Sequence, residues 1–182
     1  MKSVKNLNDC SFATSILADE VLEFHAARLL LLFHICGANG AIDGLTKMAK
    51  LDFFVRYPEF FSTLCQKIGI EAKSPKKAIE SSMVRFHYGP WDHRYYQVLA
   101  YLKARQMLEY KKEGKKIIIS LTDQGRTQAD ELEASYPFRS LVAQMIVVGK
   151  VLGKKSGTQL KKLVYETFDQ EVAMLDWGEE IK

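Results

Sequence analysis

The segment 108–132, LEYKKEGKKIIISLTDQGRTQADEL, narrows the choice of fold more than any other stretch of the chain. Glu109, Tyr110 and Lys111 run up to a polar tip, Lys112-Glu113-Gly114-Lys115, and the β-branched residues Ile117, Ile118 and Ile119 return from it. Two extended runs around so tight a glycine turn predict an antiparallel hairpin. Leu121-Thr122-x-x-Gly125 follows, with the Thr122 hydroxyl placed to cap a helix. Upstream, Tyr95, Val98, Leu99 and Leu102 fall at i, i+3, i+4 and i+7, the spacing of an amphipathic helix that leads into the hairpin.

The rest of the chain reads as mostly helical. Residues 1–18 are polar and form an arm or lead-in. From Asp19 onward Leu22, Leu29, Leu30, Phe33 and Ile35 suit a buried helix, stopped by Gly37-Ala38-Asn39-Gly40. Ala41-Ile42 is a short extended link, and Asp43 is placed to cap a helix with Leu45, Met48, Leu51 and Val55 on one face. Pro58 restarts a short helix bearing Phe60, Phe61, Leu64 and Ile68, closed by Gly69. The polar stretch 71–82, with Pro75 and three lysines, reads as a loop. Residues 83–88 predict a strand closed by Gly89-Pro90, with Trp91-Asp92 opening the next helix. After Pro137 come an apolar helix over 138–152 and a capping-box helix from Ser156 and Gln159, carrying Leu160, Leu163, Val164 and Phe168.

The expected fold is therefore mainly α with a small antiparallel β-hairpin: an arm at 1–18, a winged-helix domain at 19–136 and a C-terminal helical docking segment at 137–182. A hairpin between an amphipathic helix and a capped helix is how winged-helix domains finish, and such domains bind nucleic acid or protein and rarely catalyse.

With 182 residues, 47% of them hydrophobic, the chain has material for one cored domain plus a helical extension. A net charge of +4 permits contact with a polyanion without requiring it. Cys10, Cys36 and Cys65 are odd in number and lack C-x-x-C spacing, which points to a reducing compartment. Residues 26–36 are apolar but interrupted by Arg28 and His34, too short and polar for a bilayer span. A cytoplasmic protein is expected.

No catalytic frame emerges. His25, His34, His87 and His93 are dispersed, and His25 and His34, about 2.5 helical turns apart, point to opposite sides. No metal site and no cofactor are expected. The G-x-S-x-G and P-loop frames are missing. The wing lysines Lys111, Lys112, Lys115 and Lys116 have two readings: contacts to phosphates with counterion release, or a solvated tip that keeps an edge strand from aggregating. The helix at 58–68 is the candidate for a recognition helix, yet with Phe60 and Phe61 it suits packing better than base readout. The string 85–96, RFHYGPWDHRYY, holds Arg85, Tyr88, Trp91, Arg94 and Tyr95 as candidate protein-interface residues, with Leu160, Leu163 and Val164 further on. Its other reading is a structural corner, with Trp91 and Tyr95 as filling and Asp92 as a helix cap.

Three segments together carry a family resemblance: Lys47-x-x-Lys50-Leu51-Asp52-Phe53-Phe54-Val55-Arg56-Tyr57-Pro58, the string from Arg85 to Asp92 with Tyr95-Tyr96, and Leu160-Lys161-Lys162-Leu163-Val164-Tyr165-Glu166-Thr167-Phe168. Over roughly residues 20–170 the chain resembles the middle component of bacterial ABC three-component systems, which include the Lamassu anti-phage and anti-plasmid operons. The resemblance implies a non-catalytic winged-helix subunit, kleisin-like or KITE-like in its role. Its partners would be an SMC-like ATPase and an effector, often a nuclease, with the subunit docked at the ATPase heads to couple DNA sensing to the effector. The alternative is a free-standing winged-helix transcriptional regulator, homodimeric through 138–168. A third reading is an adaptor that never meets DNA.

Overall fold

The computed structural model describes residues 21–71, 83–114 and 116–181. The arm at 1–18, nearly all of the loop at 71–82 and Lys115 lie outside the described residues. The molecule is mainly helical around a small antiparallel sheet. Helix α1 (Leu22–Cys36) is buried over consecutive positions from His25 to Phe33, so neighbours surround it on all sides. Asn39 (φ 53°) and Gly40 (φ 74°) then turn the chain into strand β1 (Ala41–Asp43). Helices α2 (Leu45–Arg56) and α3 (Pro58–Lys67) follow, with Pro58 at the first helical position, where a missing N–H costs nothing. Next come β2 (Val84–Phe86), β3 (Gly89–Trp91) and α4 (Tyr95–Ala104).

Strands β4 (Leu108–Glu113) and β5 (Lys116–Leu121) form the expected hairpin, in register Leu108 with Leu121 and Glu113 with Lys116. β1 pairs on the other side of β5, Ile42 opposite Ile119, so the sheet order is β1-β5-β4. The Thr122 hydroxyl accepts from the Gly125 N–H at 3.0 Å and starts α5 (Asp123–Ala134) as expected. After a 3₁₀ turn (Tyr136–Phe138) come α6 (Arg139–Leu152) and α7 (Gly157–Thr167), the latter with a complete Ser156–Gln159 capping box.

Several expectations change. Asp43 does not cap α2. Pairing with Ile118 holds it in β1, its carboxylate lies 3.7 Å from Lys47 and 3.8 Å from Lys116, and Gly44 (φ 88°) makes the turn into the helix. Gly89-Pro90 does not close a strand at 83–88. It belongs to the returning strand β3 of a second hairpin, whose outer side is bridged from Val84 to Glu180. Trp91 likewise lies in β3, and α4 begins only at Tyr95.

Residues 137–182 do not stand apart as a docking segment. α6 packs on α1 and α2, and α7 packs on α2. Leu141, Met145, Val148, Leu152, Leu160, Val164 and Phe168 belong to the same core as Leu31, Phe53 and Phe54. Phe168 closes it, its ring 4.8 Å from that of Phe60 and 6.4 Å from those of Phe53 and Phe54. Apolar area facing a neighbouring helix is worth more buried than exposed, at roughly 25 cal/mol per Å².

Candidate functional site

Arg28, Asp52 and Arg56, charged residues inside the apolar helices, meet in one buried cluster. Arg28 from α1 donates to the Asp52 carboxylate of α2 through Nε at 3.0 Å and through a second guanidinium nitrogen at 3.3 Å. The Tyr95 hydroxyl donates to the same carboxylate at 2.7 Å. One turn on, Arg56 reaches Asp92 at 2.8 Å, and Arg94 donates to both Asp92 oxygens at 2.9 Å. His25 joins the ends, its ring nitrogens 2.9 Å from Arg28 and 3.0 Å from Arg94, and a neutral imidazole accepts at one of them only. Burial pushes the Asp92 carboxyl up, but the hydrogen bonds from Arg94 and the charge of Arg56 outweigh it and hold the group well below the usual carboxylate range. Burial, then the Asp52 charge, push the Tyr95 phenol far above its ordinary value. Arg28, Asp52, Arg56, Asp92 and Tyr95 lie in the interior with Arg94 at its edge, and the network ties α1 and α2 to α4 and the turn before it.

The surface carries a different feature. An open groove of about 1070 Å³ is lined by α4 and the β4–β5 hairpin, with the starts of α2 and α7 and the β2–β3 turn also contributing. Its position follows from the hairpin's pleat. Leu108, Tyr110 and Lys112 share one face with Leu121, Ile119 and Ile117, because cross-strand partners point the same way. The base of that face is core: Leu108, Ile119 and Leu121 are buried. Further out Tyr110 is 41% and Ile117 54% exposed, so the apolar face runs past the core and becomes one wall of the groove. The opposite wall is the Tyr96, Leu99, Ala100 and Lys103 side of α4, with Tyr96 62% exposed. Tyr88, at the β2–β3 turn, holds the Lys161 ammonium 4.6 Å from its ring centroid, a cation–π contact at the rim.

Comparison with family models, with curated proteins and with solved structures found no match.

The residues expected to form a protein interface divide sharply. Tyr95, Leu160 and Val164 are buried in the core and are not available to a partner in this conformation. Trp91 and Leu163 are half-buried against the core, and Arg94 is committed to Asp92. Arg85 is half-buried; its backbone N–H donates to Glu179 and its carbonyl accepts from Gly178, along a strand otherwise read as a docking anchor. Tyr88 alone of this set is well exposed, at 56%. The string 85–96 is thus mostly the structural corner, with Trp91 packed edge-on to Tyr95 at 5.1 Å.

Of the wing lysines, Lys111 pairs with Glu113 at 2.9 Å and Lys116 lies near Asp43, while Lys112 is exposed on the groove-side face. Nearby carboxylates therefore offset part of the tip's positive charge. Sequence reasoning missed Ala100, Lys103 and Ile117 as wall residues. The available signal was Ile117 beside the charged tip, an apolar residue past the point where the hairpin still has a core to cover. It also missed the buried cluster, whose signal was Arg28 amid AARLLLLF and Asp52 and Arg56 amid KLDFFVR.

Lys50 lies beneath the groove's turn, 1% exposed, and donates to the Pro90 carbonyl at 3.1 Å. Burial, reinforced by the charge of Lys161, pushes its ammonium down to about 7. In the unfolded chain a lysine titrates near ~10.4. Between those two values the unfolded chain holds a proton that the folded chain has released, so stability rises with pH across that window. Compared with Lys50→Met, the native chain should gain stability between pH 7 and ~9, read by urea denaturation at each pH. Parallel pH profiles for the two proteins would show that Lys50 keeps its proton when buried.

Proposed function

We propose that this chain is a non-catalytic, cytoplasmic accessory subunit of a prokaryotic SMC-like ATPase complex acting in anti-phage or anti-plasmid defence. It docks at the ATPase heads and relays DNA sensing to an effector, a nuclease in the simplest case. The observation that carries a binding role is the strand order β1-β5-β4, with α4 feeding directly into the hairpin and an open groove between the two. That order, with α1, α2 and α4 before the hairpin, supports a winged-helix reading, in which α3 and the β2–β3 hairpin would be insertions ahead of the last helix. In this frame the helix beside the wing is α4, not the stretch 58–68, whose Phe61, Leu64 and Cys65 are buried.

The groove-facing side of α4 presents Tyr96, Leu99, Ala100 and Lys103. Such a surface favours protein over base edges, which call for Arg, Asn or Gln in register with the groove. The lysines at the hairpin tip add nonspecific contact with DNA near the heads. The rival, a regulator that dimerises through 138–168, draws less support from the exposed surface of that stretch. Among the described residues of that stretch, Ile146 is the large apolar side chain left exposed.

Co-expression with a long coiled-coil ATPase encoded in the same operon tests the proposal. A stoichiometric complex on size exclusion is the expected result. Two separate peaks, with a sequence-selective duplex shift by the chain alone, would replace it with the regulator.

A further inference from the structure

We propose that the groove between α4 and the hairpin seats an acidic amphipathic helix of a partner protein. This deepens the docking reading above and rests on it, but not on which ATPase is the partner. Four observations on the groove lead to that occupant.

The first is the apolar lining. Leu99, Ala100, Ile117 and Ile119 contribute to it, and Tyr96, Tyr110 and Ile117 stay well exposed in the chain by itself. Exposed apolar side chains gathered in one concavity mark an interaction site, whereas singly scattered ones do not.

The second is charge. Lys103, Lys116 and Lys161 reach the lining against a single carboxylate, Asp43, which already lies within 4.0 Å of both Lys47 and Lys116. A complementary partner is therefore negative at the edges of its apolar face, since matched potentials set specificity and like charges are rejected.

The third is the start of α2. Gly44, Leu45 and Thr46 line the groove, and no side chain caps this helix, whereas the start of α7 is closed by its own capping box. The partial positive charge of an uncapped N-terminus adds to the lysines in favouring a carboxylate there.

The fourth is shape. Ala100 and Ala104 lie one turn apart on the groove side of α4, so a second helix can approach closely and place anchors at i, i+3, i+4 and i+7 between Tyr96 and Ile117. Nucleic acid fits the same features less well. Among the described residues lining the groove there is no arginine to read base edges. Although its lysines would attract any polyanion, the aliphatic lining of Leu99, Ala100, Ile117 and Ile119 is matched by apolar side chains and not by phosphate or sugar.

The test uses the full chain, immobilised and panned with a displayed library of random peptides of about four helical turns. Selected sequences should be enriched in Asp and Glu around large apolar residues at helical spacing. The tightest peptide should weaken by about tenfold or more against Ala100→Arg and against the double variant K103E/K161E. Both variants alter groove-lining positions outside the core and are expected to keep the parent's Tm. Selection of peptides without acidic enrichment, or affinities unchanged in both variants, overturns the proposal. So does an oligothymidylate that outcompetes the peptides and is lost with the same substitutions, which would assign the groove to single-stranded nucleic acid. Because no ATPase is present, failure here is distinguishable from failure of the subunit to join a complex.

Discussion

Asp52→Ala is expected to destabilise the fold by about 3–5 kcal/mol, the cost of breaking a buried ion pair by removing one partner. The carboxylate is fully buried and accepts two hydrogen bonds from Arg28 and one from Tyr95, with Arg56 3.7 Å away. Alanine strips the balancing Asp52 charge from the buried Arg28 guanidinium, leaves Arg56 with Asp92 as its carboxylate, and leaves the Tyr95 hydroxyl without this acceptor. Asp52→Asn should fall between the two proteins, because an amide oxygen still accepts from Tyr95 but brings no charge. Urea denaturation at neutral pH measures all three. A loss for Asp52→Ala below about 1 kcal/mol, the size of an exposed ion pair, would mean that water reaches the cluster and that α1, α2 and α4 are held by apolar packing alone.

Gly125→Ala gives the second large effect, and there the two obvious arguments have opposite signs. Gly125 lies in the first turn of α5 with an ordinary helical backbone, and helix propensity alone favours alanine by roughly 0.5–1 kcal/mol. Sterics oppose it. An added Cβ would stand 2.0 Å from the carbonyl oxygen of Met107, and the same carbonyl accepts the Thr122 N–H at 3.1 Å. The obstacle is backbone, held on one side by the hairpin and on the other by the cap, so no side chain can swing away. A net loss of about 3 kcal/mol is expected, the upper part of the usual cost of overpacking. A higher melting temperature for Gly125→Ala than for the parent would show that α5 can lift off the start of β4, and would undo the account of how helix and hairpin are joined.

The two predictions also mark how far the sequence could be read. Leu121-Thr122-x-x-Gly125 was legible as a helix start because capping uses residues three apart, and the structure adds why position 125 is glycine: the approach of Met107, eighteen residues upstream. Ser156 and Gln159 were legible for the same local reason. Asp43 misled, since a carboxylate ahead of a helical run is a good cap in isolation, but pairing with β5 turned it toward Lys47 and Lys116 instead. Gly89-Pro90 read as a terminator because both residues usually interrupt strands, yet β3 is short and pairs on only one named strand, where a proline is tolerated.

The groove and the buried cluster were only partly visible. Arg28, Asp52 and Arg56 stand out as charges within apolar runs, but nothing in the spacing says that they meet one another, or that Asp92 and Tyr95 complete the set. Leu160 and Val164 posed the converse problem: an apolar face on a terminal helix looks the same in sequence whether it covers its own core or awaits a partner.

What the sequence determined unaided is the local grammar, namely the hairpin, the amphipathic helices and their caps. Periodicity, β-branching and turn chemistry act over a few neighbouring residues, and each leaves its mark in the order of the side chains. Only the tertiary structure decided that α6 and α7 belong to the core, that three helices share one ionic cluster, and that Tyr96 and Ile117 line one open groove. Those outcomes depend on distances between segments tens of residues apart, set by how all the apolar faces pack at once.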